Sequence, residues 1–407
     1  MTNDIRTKSH RARQAAGWLD KLCVEIDNRR VGSAGNRDAT DFFAETISAF
    51  GFKVEQPGFD CIDWTTQGVE LLAGDDAFEA FASPYSLGCD LRGALAVASS
   101  VAELEAAQLS GKVLLLHGDI AKEQLMPKNF TFYNPDEHKH IIALLEQKDP
   151  LAIITATGRN PELAGGVYPF PLIEDGDFDI PSVYMTDVEG ERLAQYVGQV
   201  ITLNSQATRI PARGCNVVAR KGDMARRVVF FAHIDAKAGT PGAIDNGTGV
   251  VILLLLAELL AGYDGSLGVE IVALNGEDYY AASGEKLWLA ENEGRLHEII
   301  LGVNMDGVGY RHGMTAYSLY GCPPEMADSI RAVRAARASK VEGDAWFQSD
   351  HSLFVFNGLP ALAFTSSEFT ELWQEIAHTS GDMPEIVDVA HLTAAALGLR
   401  ALVERFA

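Results

Sequence analysis

Val228-Val-Phe-Phe-Ala-His233-Ile-Asp235, then Pro241-Gly-Ala-Ile-Asp245-Asn-Gly-Thr-Gly249 and an apolar run from Val250 to Leu260, set the fold of this chain. The β-branched and aromatic residues of Val228–Ala232 read as a buried strand, which puts His233 at its carboxyl end. The turn-rich loop around Asp245 follows, and the run after it reads as a buried helix. The unit recurs downstream. Gly268-Val-Glu-Ile-Val-Ala-Leu274 is a second strand with Asn275-Gly-Glu277-Asp278 directly after it, and Ile299-Ile-Leu-Gly-Val303 is a third that delivers Asn304-Met-Asp306. This pattern predicts an α/β fold, a mixed and largely parallel sheet flanked by helices on both faces. In such sheets ligands bind beyond the carboxyl ends of the strands, so acids from three consecutive strands converge on one rim.

The residue types at that rim suit metal ions. A pair of divalent ions about 3.5–4 Å apart needs one carboxylate that reaches both, with one imidazole and one further carboxylate on each, leaving room for a shared water. Asp245 fits as the bridge, His233 and Asp306 on one ion, Asp278 and His378 on the other. Imidazole with carboxylate suits zinc, and Mn2+ or Co2+ can take the same donors. Asp235, two residues beyond His233, is expected to accept a hydrogen bond from the second ring nitrogen, and Asp382, four residues after His378, to act similarly.

In order and at suitable intervals, His233-Ile-Asp235, the Asp245 loop, Asn-Gly-Glu277-Asp278, Asn-Met-Asp306-Gly-Val-Gly, Ser349-Asp-His351 and His378-Thr-Ser-Gly-Asp382 resemble the M28 family of zinc aminopeptidases. The likeness takes in Arg30-Val-Gly-Ser-Ala-Gly-Asn36 near the start and a terminal helix from about Val389 to Phe406. It implies a fold of the zinc-dependent exopeptidase type, two zinc ions as cofactors, Glu277 as general base, and a peptide substrate with a free amino terminus, cut after its first residue. Two positions depart from the family pattern. Asp278 stands where Glu is frequent, and Ala377 where Tyr is frequent, which leaves no side chain assigned to polarise the scissile carbonyl. Asp350 and His351 have two readings, as flanks of the substrate pocket or as caps of the helix that follows. Three other uses of the scaffold are hydrolysis of an N-acyl or small amide, cyclisation of an amino-terminal Gln, and ligand binding without catalysis.

At 407 residues the chain is long enough for two or three domains of about 150 residues each. Between residues 59 and 212 the pattern changes to short β-like runs, among them Gly111-Lys-Val-Leu-Leu-Leu116 and Pro181-Ser-Val-Tyr-Met185. This stretch resembles the protease-associated (PA) domain, a β-rich insert, so residues 1–58 and 213–407 are expected to form one discontinuous catalytic domain. Five cysteines, widely spread and without a Cys-x-x-Cys pair, indicate reduced core thiols. The net charge of −23 argues against nucleic acid and anionic membranes as partners and favours solubility. The start shows no apolar core of roughly 7–15 residues as in a signal peptide, and no later run reaches the ~20 residues of a membrane span. A cytoplasmic location follows. His138-Lys-His140 is read as exposed, and the charged segment from Arg6 to Arg30 as a solvated helix face.

Overall fold

The computed structural model describes residues 2–131, 133–159, 166–335 and 340–407. The chain divides into two units, Met1–Cys61 with Arg213–Ala407, and Ile62–Ala212.

Alternation along Arg227–His233 decides how the first unit is layered. Every residue of this strand is buried, as in sheets covered on both faces, and successive side chains point to opposite sides. Val228, Phe230 and Ala232 enter a core with Val251, Leu254 and Leu255 of the helix Thr248–Leu259, to which the helices Ala34–Ser48 and Val389–Phe406 also contribute. Phe231 points the other way and stacks on Phe354, ring centroids 4.6 Å apart, with Trp288 at 5.2 Å from the same ring. Gly302 makes that layer possible, since a Cβ there would lie 2.4 Å from the Phe354 ring.

The three expected strands are Arg227–His233, Gly268–Leu274 and Ile299–Met305, and the first lies between the other two, parallel to both. Ala361–Ser366 extends the parallel run beside Ile299–Met305. Antiparallel partners flank it: Val217–Lys221 and then Lys53–Glu55 at one side, Thr315–Tyr320 at the other, the last with Lys340–Glu342 parallel to it. The fold is thus mixed α/β. Leu254 is fully buried in the core, so Leu254→Ala is expected to cost about 2–5 kcal/mol in chemical denaturation, from lost burial and the cavity left behind.

The charged segment near the amino terminus is not uniformly solvated. Helix Thr2–Asp20 and the wide turn Lys21–Glu25 bury Ala15, Leu19 and Leu22, and Arg29 is only 3% exposed. The apolar positions among the charges carry a packed face that charge content alone conceals.

The unit Ile62–Ala212 has its own mixed sheet. Cys89–Ala98, Lys112–Leu116, Ala152–Thr157 and Ser182–Thr186 run parallel in that order. Parallel neighbours need crossovers rather than hairpins, and the helices Val101–Ala106 and Asp136–Lys148 lie in the first two of them. The unit thus joins an eight-stranded sheet to short crossover helices. Leu114 and Leu116 pack into one core and Val113 and Leu115 into another, as strand alternation requires. His138 is buried, against expectation: its Nδ1 accepts the Met126 amide at 3.1 Å and its Nε2 lies 3.3 Å from Glu123. It shares an apolar helix stripe with Ile141, Ile142 and Leu145. His140 on the outer face is exposed.

All five cysteines are free; Cys23 and Cys61 are buried, and Cys89, Cys215 and Cys322 are half-buried. Among the described residues no helix is long and apolar enough to cross a membrane.

Candidate metal centre

Three parallel strands of the first unit lead into the donors: Arg227–His233 ends at His233, Gly268–Leu274 comes four residues before Asp278, and Ile299–Met305 comes directly before Asp306. His233 closes its strand fully buried, with Nε2 3.1 Å from Asp245 Oδ1 and 3.9 Å from Asp306 Oδ1. Asp245 lies in the wide turn Ala243–Gly247 ahead of the helix Thr248–Leu259. Its second oxygen, Oδ2, is 3.0 Å from His378 Nε2, and the same nitrogen is 3.2 Å from Asp278 Oδ1. Asp245 thus stands between two imidazoles, one oxygen on each. Donor atoms of His233, Asp245 and Asp306, of Asp245, Asp278 and His378, and of His233, Glu277 and Asp278 form three sets, each within 4.8 Å.

These donors fit a metal ion on grounds of geometry. His233 Nε2, Asp245 Oδ2, Asp278 Oδ2 and Asp306 Oδ1 are buried without a hydrogen bond of proper direction, although imidazole and carboxylate atoms face one another closely. Buried polar atoms ordinarily have partners, and donors that converge on a shared point are how a cation is held.

Electrostatics agree. Burial pushes the Glu277 carboxyl well up, and Asp278, Asp306 and Asp350 add to this against the pull of His233. Burial likewise raises Asp306. Burial opposes charge on His233 and His378, yet the adjacent carboxylates hold both rings well above the ordinary imidazole value. Asp245 is held below the usual carboxylate range, because the two imidazoles outweigh its burial. The set carries an excess of negative charge that favours cations.

Two expected roles change. The Asp235 carboxylate lies 3.8 Å from His233 Nδ1, beyond hydrogen-bond distance. The ring's Nδ1 faces the Asp235 backbone carbonyl at 3.2 Å, while the carboxylate accepts the amides of Gly276 at 2.8 Å and Asp278 at 3.0 Å. The chain bends just after the strand, which aims the carbonyl at the ring and sends the side chain across to the neighbouring loop. Asp382 holds the other loop, not the His378 ring: Oδ1 accepts the Ile244 amide at 2.7 Å and Oδ2 the Asp245 amide at 3.0 Å. Burial raises Asp235 to about 6 and Asp382 to about 7.

Asp350 does not cap the helix Ser352–Phe356 with its side chain, and His351, at the cap position, makes no side-chain cap either. Asp350 is buried behind the cluster, where burial pushes it up to about 7, with Asp235 and Asp306 contributing. His351 Nε2 pairs with the Trp346 carbonyl at 2.7 Å, its ring against Tyr320 and Trp346, and burial lowers it to about 4. Ala377 is buried and brings no functional group. Sequence reading missed Asn246, whose side-chain amide donates to the Met305 carbonyl at 2.8 Å while its oxygen accepts the Gly249 amide at 3.1 Å. Its place beside Asp245 in a turn motif was the available signal.

A parallel-centred sheet with imidazoles and carboxylates gathered at its carboxyl rim defines a metallohydrolase type of site. Residues 216–403, which span all of these donors, match the model of peptidase family M28. The chain is 26% identical over 237 residues to a probable lipoprotein aminopeptidase, LpqL, of Mycobacterium tuberculosis; the match takes in 56% of this chain and 44% of that relative's length. Among solved structures, an aminopeptidase from Aneurinibacillus sp. strain AM-1 has a TM-score of 0.73 at 21% identity, with 96% of this chain and 93% of that one covered. A zinc aminopeptidase from Bacillus subtilis has a TM-score of 0.74 at 19% identity, with 96% and 94% covered. At these identities the likeness establishes the fold.

Proposed function

We propose that this protein is a dinuclear zinc aminopeptidase, removing amino-terminal residues from peptides. The observation that carries the proposal is the placement of Asp245, with one carboxylate oxygen beside His233 and the other beside His378. Asp245 would bridge, His233 and Asp306 would complete one ion, and Asp278 and His378 the other, with Mn2+ or Co2+ able to replace zinc. When bound, such ions lower the pKa of water and polarise a carbonyl.

The chain's own groups do the rest. Glu277, half-buried at the edge of the cluster and with its carboxyl pushed up, takes a proton from the attacking water. The water oxygen joins the carbonyl carbon, the C–N bond breaks, and Glu277 returns the proton to the leaving nitrogen. Asp235 and Asp382 keep the loops of Glu277–Asp278 and Asp245 in register through backbone amides. The unit Ile62–Ala212, read as PA-like, contributes none of the donor groups found among the described residues.

Peptides with a free amino terminus are expected to lose one residue at a time, and amino-terminal acetylation to abolish the reaction. A time course on matched free and acetylated peptides, resolved by mass, checks this. Release of the acyl group would favour the amidase alternative, and release of a carboxyl-terminal residue from the acetylated peptide would reverse the direction of attack.

A further inference from the structure

The segment around Arg30-Val-Gly-Ser-Ala-Gly-Asn36 supplies no group to the chemistry above, yet its contacts converge on it. We propose that Arg29 and Asn36 are positioning residues that jointly set the spacing between the Asp245 loop and the Glu277–Asp278 loop, and so the affinity of the site for metal. The inference rests on reading the cluster as a metal centre.

Arg29 is 3% exposed and spends its guanidinium on backbone carbonyls. Nε donates to Ile234 O at 3.0 Å, Nη1 to Leu22 O at 2.8 Å and Pro241 O at 2.7 Å, and Nη2 to Gly242 O at 2.8 Å. One planar fork therefore ties the residue after His233 to the two residues that open the Asp245 loop. The approach is close. Gly242 has φ +60°, and a Cβ there would lie 2.8 Å from Arg29 Nη2.

Asn36 reaches the second loop. It is 1% exposed, and its side-chain amide donates both to the Arg29 carbonyl and to Asn275 Oδ1, each at 2.8 Å. Asn275 returns the bond, Nδ2 to Asn36 Oδ1 at 2.9 Å. This reciprocal pair fixes the residue that precedes Gly276-Glu277-Asp278. Ser33 locks the geometry from below, its Oγ accepting the Asn36 amide at 3.0 Å as the helix Ala34–Ser48 begins. Because Asn36 bonds the Arg29 carbonyl, the two clamps form one unit.

The consequence follows from where the ligands sit. Asp245 and Asp278 approach the same nitrogen of His378, at 3.0 and 3.2 Å, from different loops. If the loops drift apart, no side-chain rotation restores both distances. Loss of such outer support typically costs about 10- to 100-fold in metal affinity.

The test titrates zinc into the full chain against a chelator of known affinity, with thermal unfolding in chelator as a separate readout of fold. Asn36→Ala and Arg29→Lys are expected to lose about 10- to 100-fold in zinc affinity. Leu399→Ala, a core change in the terminal helix away from both loops, is expected to lower the melting temperature and leave zinc affinity at the wild-type value, which separates positioning from general destabilisation. Unchanged zinc affinity in a folded Asn36→Ala protein overturns the proposal while leaving the metal centre intact. Should Arg29→Lys not fold, Asn36→Ala decides alone. A wild-type chain that binds no zinc instead overturns the reading of the site itself.

Discussion

Glu277→Gln is expected to lower kcat about 10²- to 10⁴-fold, the usual worth of a positioned general base, or roughly 3–5.5 kcal/mol of barrier at 1.36 kcal/mol per decade. The substitution keeps shape and hydrogen-bonding capacity but removes the basic oxygen. The proposed reading gives the two neighbours separate tasks: Asp278, whose Oδ1 lies 3.2 Å from His378 Nε2, would hold metal, and Glu277, beside His233 and Asp278, would move the proton. Zinc content should therefore stay at two ions per chain, and a substrate-like inhibitor should bind as in the wild type. The pH profile gives an independent check. A base must be unprotonated, so wild-type kcat/KM rises with pH through the Glu277 ionisation. The residual rate of the Gln variant should lack this rise. Turnover within about threefold of wild type, far below the range for a general base, would pass the role to another group.

Much of the metal cluster was legible because periodicity and punctuation mark strand ends, and topology then brings those ends together. His233, Asp245, Asp278 and Asp306 each stand at or just after a strand or at the head of a helix, and no long-range knowledge is needed to gather them. What holds the loops was not legible. Asp235 and Asp382 were placed by sequence distance from a histidine, but their oxygens go to backbone amides of other loops, a choice set by how the chain bends. The bond from Arg29 to Gly242 joins residues 213 positions apart, which no local pattern encodes. Asp350 failed as a helix cap because His351 takes the cap position, and the Asp350 carboxylate is buried without a capping bond. In the second unit the turns and short strands stood out, and the short crossover helices did not.

Asp245→Ala should abolish binding of both ions and bring activity to background, a loss of several kcal/mol of transition-state stabilisation, or about 10³-fold or more. The argument is one of position. Each of the other four donors reaches one imidazole or one carboxylate neighbour set, but Asp245 alone presents an oxygen to His233 and another to His378. It is also held ionised by the two imidazoles, while burial drives Glu277 and Asp306 up; its removal takes away the anionic charge shared by both halves. Asp278→Ala should behave differently, weakening one ion and recovering part of its activity in excess zinc. The fold should survive both changes, since the donors lie at the rim of the sheet and the core beneath them is untouched. Linkage supplies the decisive readout. A ligand at 100 times its Kd stabilises the folded state by about 2.7 kcal/mol, so wild-type protein should melt at a lower temperature in chelator, whereas Asp245→Ala should melt at the same temperature with or without it. Elemental analysis that still finds two ions per chain in Asp245→Ala would remove Asp245 as the bridge and return the cluster to two independent sites.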